Sequence, residues 1–274
     1  MSALYIDIGG THIRGEYSLN GKVVKEEFLT KDYDLIDYIE DRLKLNKSIK
    51  KVSIAFAGQV NDGVIISSPN INVRVHNIRE YFRDKYNIDL KIDNDLKCAL
   101  LAHKNIIKEP NMALLYIGTG IGCAVLDNNH IVRGVKNLSC EIGHIPFKDA
   151  PFKCGCGKQN CIELFASGSG LEKWLNYYNL PFVNLSNLRD STQKEAKEIY
   201  ANFLEGLFRA YATLITLFNP KVVILGGGVI MHNKYLIDEI KNNISKYALK
   251  QDILYSAIEI TTIKDAPLQG AKLL

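Results

Sequence analysis

Two apolar segments, each passing through a glycine turn into a second extended segment, constrain the fold of this chain more than any other feature. Residues 3–8 (ALYIDI) lead into Gly9-Gly10-Thr11 and a further extended run. The sequence MALLYIGTGIGCAVLD, which begins at Met112, repeats the order of strand, glycine turn and strand. A unit that recurs at this separation predicts two α/β lobes related by an internal duplication.

A division into two lobes also agrees with the length, because 274 residues exceed the usual size of one domain. We expect residues 1–108 to form a small N-terminal α/β lobe and residues 109–263 a larger α/β lobe. A final helix over about 264–274 should pack back on the first lobe. Helical spacing predicts further helices from Asp34 to Leu45, near 78–86, from Asp95 and over 194–218, whereas residues 60–72 read as a loop-rich segment.

Charge and hydropathy exclude several functional classes. The formal net charge is +4 and no compact block of Lys and Arg occurs, so nucleic acid is not indicated as a partner. The N-terminal sequence lacks the features of a signal peptide, and no apolar run approaches transmembrane length. The sequence therefore predicts a cytoplasmic protein without membrane contact, and its mild charge is compatible with an anionic small substrate.

A third glycine turn follows the apolar strand KVVIL, so the chain carries three such turns. They are Gly9-Gly10-Thr11, Gly118-Thr119-Gly120 and Gly226-Gly227-Gly228. Each turn could be structural, but together they favour a nucleotide, because glycine lets backbone amides approach phosphate oxygens closely. No P-loop motif is present. GTGIGCA is not a Rossmann fingerprint either, because a strand follows it where that motif requires a helix.

Two aspartates are candidates for phosphoryl-transfer chemistry. Asp95 stands at a predicted helix start within the polar sequence Asp93-Asn94-Asp95, where a carboxylate could accept a hydroxyl proton. Its alternative role is that of an ordinary N-cap. Asp7 could orient Mg²⁺ through water, since a hard cation takes oxygen ligands. Its alternative role is that of an acid satisfied by backbone amides at a strand end.

A cysteine-rich loop predicts a zinc site. His144, Cys154, Cys156 and Cys161 supply one imidazole and three thiols, the cysteines in C-x-C-x₄-C spacing. Four protein ligands complete a tetrahedral zinc sphere and leave no open position, so the zinc over loop 144–161 should be structural. The remaining cysteines, Cys98, Cys123 and Cys140, are interpreted as small buried apolar residues.

Two acids lie beside these ligands. Glu141 and Glu163 would accept hydrogen bonds from sugar-type hydroxyls if the zinc loop holds them rigidly. The alternative for both residues is that they are solvated acidic side chains on the surface.

The segments DIGGT, NDLKCALLAH, EIGH followed by CGCGKQNCIE, and GGG occur in the order typical of the ROK family, and the chain resembles that family from Asp7 to Gly228. The family includes sugar kinases and related transcriptional repressors. The resemblance implies a two-lobed actin-like ATPase (ribonuclease H-like) fold with the active site between the lobes, and typically a homodimer. It also implies catalytic and substrate-binding roles by position. Asp95 would be the catalytic base, and the sugar ligands would be Asn70, Asn94, Asp95, Glu141, His144 and Glu163.

The implied activity is ATP-dependent transfer of the γ-phosphoryl group to a hexose, with the 6-hydroxyl of glucose as the first expectation. ATP, Mg²⁺ and structural Zn²⁺ are the expected cofactors. Other acceptors remain open, namely N-acetylmannosamine, N-acetylglucosamine, mannose and fructose, as does polyphosphate as donor. A sugar-sensing repressor is the alternative from another class. Repressors of the family carry a winged helix-turn-helix ahead of DIGGT, for which a motif beginning at Asp7 leaves no room.

The sequence also departs from the family pattern at several positions. His12 follows GGT where lysine or asparagine is usual, and Cys140 replaces the glycine common before EIGH. The segment from Pro69 to Phe82 lacks the usual glycine and tryptophan. These departures bear more on sugar identity than on the chemistry.

Overall fold

The computed structural model of the chain describes residues 2–68, 70–181 and 184–274. Contacts within the chain divide it into two compact units. Unit 1 comprises Met1–Lys108, Arg133–Ser139 and Ile263–Leu274, and unit 2 comprises Glu109–Val132 and Cys140–Thr262.

Unit 1 is an α/β unit around one five-stranded sheet. Its strands are β1 (Ser2–Ile8), β2 (His12–Leu19), β3 (Lys22–Leu29), β4 (Ile49–Phe56) and β7 (Asp89–Asn94), in the spatial order β3-β2-β1-β4-β7. Its helices are α1 (Leu35–Leu45), α2 (Ile78–Tyr86), α3 (Asp95–Ile107) and α10 (Ala266–Ala271). The first three strands are antiparallel, whereas β4 and β7 run parallel to β1. Asn20 and Gly21, an Asn-Gly pair typical of a tight hairpin turn, connect β2 to β3 and both have positive φ.

The interpretation of residues 60–72 as loop was incomplete. Strands β5 (Gln59–Asn61) and β6 (Val64–Ser67) form a two-stranded hairpin there. Asp62 and Gly63, with φ of 49° and 85°, make the tight turn between them. An Asp-Gly pair between short apolar runs is a hairpin signal, so the sequence did contain the information. Pro69, in the same segment, lies outside the described residues.

Helix α10 completes the core of unit 1 from the far end of the sequence. It packs against α3, β1 and β4. The approach of α10 to α3 is so close that a Cβ on Gly270 would collide with the backbone of Cys98. Gly270 therefore permits a contact that any larger residue would push apart.

Unit 2 contains a second five-stranded sheet. Its strands are β8 (Met112–Ile117), β9 (Ile121–Asp127), β10 (His130–Ile131), β11 (Val222–Gly226) and β12 (Ala257–Ile260), in the order β10-β9-β8-β11-β12. This is the order found in unit 1, with an antiparallel meander of three strands followed by two parallel strands. The common topology confirms the predicted internal duplication.

The helices of unit 2 are α4 (Gly168–Tyr177), α5 (Leu185–Asp190), α6 (Lys194–Phe218), α7 (Gly228–His232), α8 (Leu236–Asn243) and α9 (Lys250–Tyr255). Helix α6 has the bounds predicted from its 3.6-residue periodicity, and it buries Phe203, Leu207 and Leu214 in the core. The sequence interpretation missed α4, α5, α7, α8, α9 and β12. Most of these elements span fewer than nine residues, which gives hydrophobic periodicity little room to appear.

Within the described ranges, we find no helix that combines the length and the apolar content needed to cross a bilayer.

Candidate functional site

Two of the predicted phosphate-binding turns lie side by side in unit 2. Strands β8 and β11 are parallel neighbours, so their carboxyl ends share one edge of the sheet. The turns 118–120 and 226–228 begin at that edge, and a Cβ on Gly118 would lie 3.8 Å from the amide nitrogen of Gly228. Gly227 has φ of 85°, and a Cβ there would collide with the carbonyl of Ile117. Topology thus places two glycine turns at one edge of the sheet, where Thr119 and Gly228 are exposed and Gly226 is buried.

In unit 1, the turn 9–11 connects β1 to β2 and lies against Asn70. The amide of Gly9 donates to the carbonyl of His12 at 2.9 Å, and Thr30 Oγ1 donates to the carbonyl of Gly9 at 2.7 Å. A Cβ on Gly10 would lie 2.9 Å from the Cβ of Asn70. The predicted sugar ligand and the predicted phosphate turn are therefore direct neighbours.

Asp7 lies near the end of β1, 6% exposed. Arg14 Nη1 lies 3.4 Å from its Oδ2, so a side-chain cation contributes to its environment. Burial raises the pKa of Asp7 to about 6, with Asp265 and Glu27 adding to the effect and Arg14 only partly offsetting it. Burial therefore disfavours the charged form of this carboxyl relative to that of an exposed aspartate.

Replacing Asp7 with asparagine should stabilise the folded protein above pH 6. The buried carboxyl keeps its proton to about pH 6, whereas the unfolded one loses it near the ordinary value of 3.8. Asp7 therefore costs stability as the pH rises through that window. The advantage of Asp7→Asn in the free energy of unfolding should grow from pH 4 to about pH 7 and level off at about 3 kcal/mol. Urea unfolding of both zinc-replete proteins without added Mg²⁺ measures this.

The comparison must be a difference between the two proteins, because His103 acts in the opposite direction. Burial lowers the pKa of His103 to about 4, so wild type gains stability from this group as the pH rises from 4 to 6.5. His103 is common to both proteins, and its contribution cancels. A stability difference that stays constant between pH 4 and pH 8 would contradict the assignment of a raised pKa to Asp7.

Asp95 is the first residue of α3 and not its cap. The cap is Asn94, whose Oδ1 accepts from the amides of Leu96 and Lys97 at 3.1 and 3.2 Å. Asp95 Oδ1 accepts from Asn94 Nδ2 at 3.0 Å and from the amide of Leu96 at 2.9 Å. The ordinary N-cap role is therefore taken by another residue, and two donors on one oxygen fix the plane of the Asp95 carboxylate.

The carboxamide of Asn94 is fully engaged. Besides its two accepted bonds and its bond to Asp95, its Nδ2 donates to the carbonyl of Gly58 at 3.3 Å, which is the longest of the four. A sugar hydroxyl that binds Asn94 must replace one of these bonds.

The four predicted zinc ligands lie together in unit 2. Their ligand atoms are all within 4.8 Å of one another. The sulfurs of Cys156 and Cys161 are 3.4 Å apart, and Cys154 Sγ lies 3.6 Å from His144 Nδ1. Ligands bound to one tetrahedral zinc are separated by about 3.5–4 Å. Burial raises the pKa of Cys154 to about 11, so a metal must displace its proton. Spacing and donor set both fit Zn²⁺.

Glu163 connects the cysteine cluster to the glycine turn of β8. Its Oε1 lies 3.4 Å from Cys154 Sγ, and its Oε2 accepts from the amide of Ile121 at 3.4 Å. A Cβ on Gly120 would lie 2.6 Å from the same Oε2. Glu163 is half-buried, so it is not a solvated surface acid.

His144 presents its two ring nitrogens to different partners. Its Nδ1 faces Cys154, while its Nε2 lies 4.0 Å from Glu141 Oε2. Glu141 is exposed, with 44% of its side chain accessible. One imidazole can therefore bind a metal through Nδ1 and orient an acidic neighbour or a ligand through Nε2.

Two of the residues that depart from the family pattern, Cys140 and His12, have distinct local environments. Cys140 is half-buried and has φ of 71°, the left-handed region that glycine adopts readily, so it differs from the buried Cys98 and Cys123. His12 opens β2, and its Nε2 lies 3.8 Å from Glu27. Cys98 and Cys123 are buried as predicted.

The predicted site residues thus form two groups, one in each unit. Unit 1 holds Asp7, residues 9–11, Asn70, Asn94 and Asp95. Unit 2 holds residues 118–120 and 226–228, Glu141, Glu163 and the four metal ligands. Sequence reasoning missed a third set next to Asp95, comprising Asp93, Lys97, Arg133 and Asn137. A lysine within the apolar run of α3 was the one available signal for it.

Known proteins with similar sequences include a repressor and a kinase. The chain is 27% identical over 270 residues to a xylose repressor of Bacillus subtilis, covering 90% of this chain and 69% of the repressor. It is 29% identical over 270 residues to an N-acetyl-D-glucosamine kinase of Photobacterium profundum, covering 89% of both chains.

Two solved structures share the fold. A ROK hexokinase from Thermus thermophilus superposes with a TM-score of 0.79 at 22% identity, covering all of this chain and 97% of the other. A ROK family glucokinase from Streptomyces griseus in complex with glucose and AMPPNP gives a TM-score of 0.76 at 21% identity, covering 99% and 98%. The predicted two-lobed actin-like ATPase fold is thereby confirmed. The ROK family model matches residues 3–274, and we conclude that this chain belongs to the ROK family.

Proposed function

We propose that this protein is an ATP-dependent sugar kinase that transfers the γ-phosphoryl group to a hexose hydroxyl, with the 6-hydroxyl of glucose as the acceptor. The observation that carries the proposal is the Asp95 carboxylate, fixed at the start of α3 by two donors to one oxygen. Similarity to kinases that act on N-acetylglucosamine and glucose supports the class of reaction.

Asp95 is the general base in this proposal. It accepts the proton of the sugar hydroxyl as that oxygen attacks the γ-phosphorus, and the bond from phosphorus to the bridging oxygen of ADP breaks. Most of the catalytic effect in phosphoryl transfer comes from positioning and electrostatics. The donors from Asn94 and Leu96 hold the base in one orientation and so reduce the entropy lost on reaction.

The proposed sugar ligands are acids, carboxamides and one imidazole. Asn70 donates or accepts through its carboxamide, and Glu141 and Glu163 accept from hydroxyls. His144 contributes Nε2, because its Nδ1 faces Cys154 and would bind zinc. Asn94 exchanges its long bond to Gly58 for a sugar hydroxyl. Zinc is structural in this scheme and fixes the segment that carries Glu163.

Backbone amides of the three glycine turns bind the phosphates of ATP, except those of Gly9 and Gly118, which donate to the carbonyls of His12 and Gly120. Thr11 and Thr119 add hydroxyl donors. Mg²⁺, when bound with ATP, offsets charge on the β- and γ-phosphates. Asp7 would help to hold Mg²⁺ through water, and its proximity to the turn 9–11 supports this role. We further propose that the protein is cytoplasmic and that it forms a homodimer. Light scattering on the purified protein tests the homodimer.

A coupled assay of ADP release over a panel of sugars tests the activity. The panel contains glucose, mannose, fructose, N-acetylglucosamine and N-acetylmannosamine, with ATP or polyphosphate as donor and zinc-replete protein. We expect the highest kcat/KM with glucose and ATP. Higher kcat/KM with an N-acetylhexosamine, for which the Photobacterium profundum kinase is a precedent, would correct the acceptor. Turnover with none of them would refute the kinase.

A sugar-responsive repressor is the second candidate, and the similarity to the xylose repressor favours it. The two candidates differ in a simple measurement. A repressor binds duplex DNA at physiological salt and releases it on addition of its sugar, whereas a kinase turns over ATP in a sugar-dependent manner.

A further inference from the structure

A buried network of charged and polar side chains lies next to the proposed base in unit 1. Asp93, the penultimate residue of β7, is 4% exposed, and Lys97, in the first turn of α3, is 3% exposed. The segment Arg133–Ser139 joins this network and belongs to unit 1, although its neighbours in sequence belong to unit 2. Buried ions at such a position require partners with good geometry.

Asn137 connects these charges. Its Oδ1 accepts from Lys97 Nζ at 2.8 Å and from Arg133 Nη1 at 3.0 Å. Its Nδ2 donates to Asp93 Oδ1 at 2.9 Å and to the carbonyl of Val60 at 2.9 Å. One carboxamide therefore bridges a carboxylate and two cations, using both donors and both lone pairs. Aspartate lacks the donors and a hydrophobic residue lacks both functions, so the chemistry of the network requires an amide.

The network is joined to Asp95 through Asn94, which donates to both Asp93 and Asp95. Asp93 Oδ1 also accepts from the amide of Asn94 at 2.8 Å, and Arg133 Nη2 lies 2.7 Å from Asp93 Oδ2. Asn94 in turn caps α3 and donates to Asp95 Oδ1. A displacement of Asp93 therefore moves the peptide that carries the donor to the base.

Lys97 makes a second connection to the same helix. Its Nζ donates to the carbonyl of Asn137 at 2.7 Å as well as to Oδ1. The main chain and side chain of Asn137 thus bind Lys97, the third residue of α3. The side chain of Asn137 also binds Asp93, in the strand that precedes the helix. The first turn of α3 is fixed from both sides.

We propose that Asn137 is a positioning residue for phosphoryl transfer, which acts through Asp93, Asn94 and Lys97 to keep the Asp95 carboxylate in its reactive orientation. The inference rests on the proposed function of Asp95 as base. It predicts a defect in the chemical step and little defect in substrate binding, because Asn137 is not among the proposed ligands of sugar or ATP.

Three variants test the proposal. Asn137→Gly removes the carboxamide and tolerates the positive φ of 61° at this position. Asn137→Asp keeps the shape but places a second carboxylate against Asp93. Lys136→Gly is the matched control, because Lys136 is an exposed neighbour with a similar φ of 55°. We expect kcat to fall about 10- to 100-fold in Asn137→Gly and at least as far in Asn137→Asp, with KM for sugar and ATP little changed.

Hydrogen exchange at the amides of residues 94–97 supplies a readout that does not depend on turnover. Faster exchange confined to these residues, together with the fall in kcat, supports the proposal. Unchanged kcat in Asn137→Gly, or an equal fall in Lys136→Gly, would overturn it. So would a fall in kcat with equal loss of sugar affinity and faster exchange throughout unit 1, which marks a general structural role.

Failure of the proposed function is distinguishable from failure of this inference. If the wild-type protein phosphorylates no sugar of the panel, the kinase assignment is refuted. Hydrogen exchange then decides the inference by itself. Unchanged protection of the amides of residues 94–97 in Asn137→Gly overturns it. A selective loss of protection at these amides upholds the coupling of Asn137 to the start of α3.

Discussion

Asp95→Asn should lower kcat at least about 1,000-fold while leaving the fold and the affinity for sugar nearly unchanged. The carboxamide oxygen of asparagine can still accept from Asn94 Nδ2 and the amide of Leu96, so both bonds that orient the side chain are retained. What is lost is the ability to accept the hydroxyl proton. Steady-state kinetics with saturating sugar and ATP measure kcat, and calorimetric titration measures sugar binding.

Asp89→Asn is the appropriate control, because Asp89 is exposed at the start of β7, the strand that leads into α3, and undergoes the same chemical change. It should turn over as wild type does. Normal turnover in Asp95→Asn would remove Asp95 from the base role. A joint loss of turnover and sugar affinity would instead assign it to substrate binding.

Cys156→Ser should abolish stoichiometric zinc binding and lower the thermal stability of the protein by about 10 °C, since structural zinc contributes several kcal/mol to folding. Cys156 is the exposed member of the cluster, whereas Cys154 and Cys161 are buried. Serine at this position therefore changes the ligand set with little change in packing. Because Glu163 lies 3.4 Å from Cys154, sugar affinity should fall about tenfold as the loop loses order.

Metal analysis, thermal denaturation and calorimetric titration measure the three effects. Cys140→Ser provides the control, because it removes a half-buried thiol that does not belong to the cluster. That variant should keep its zinc. Unchanged zinc content and unchanged sugar affinity in Cys156→Ser would refute both the ligand set and the link between zinc and substrate.

Much of the fold could be predicted because its strongest signals are local. Helix α6 has a long apolar periodicity, and the Asn20-Gly21 turn has a backbone preference of its own. The common strand order of the two sheets follows from a repeated motif. The short helices of unit 2 escaped prediction because packing against the rest of the unit stabilises them, and a single sequence does not display those contacts.

Some parts of the candidate site could be predicted from the sequence, and others could not. The zinc ligands were recognisable because thiols and an imidazole rarely gather at such spacing without a metal, and the structure brings all four together. The distinction between Asn94 as the cap and Asp95 as the first helical residue needed coordinates, since either residue type caps a helix well.

Asn137 marks the limit of sequence reasoning here. Forty residues separate it from Lys97, and nothing in the sequence GVKNLS indicates that its side chain joins a buried ion network. The contact depends on the return of one short segment to the other unit of the chain, which is a property of tertiary topology.

Unit 1 is built from segments that are far apart in the sequence, which affects how it folds during translation. Residues 109–262, which contain all of unit 2, are synthesised before the segment Ile263–Leu274 that carries α10. Since α10 covers α3, β1 and β4, the first unit to be translated must wait with part of its core exposed, for many seconds at ordinary elongation rates. The core of the N-terminal unit is therefore completed only after the whole of unit 2 has been synthesised.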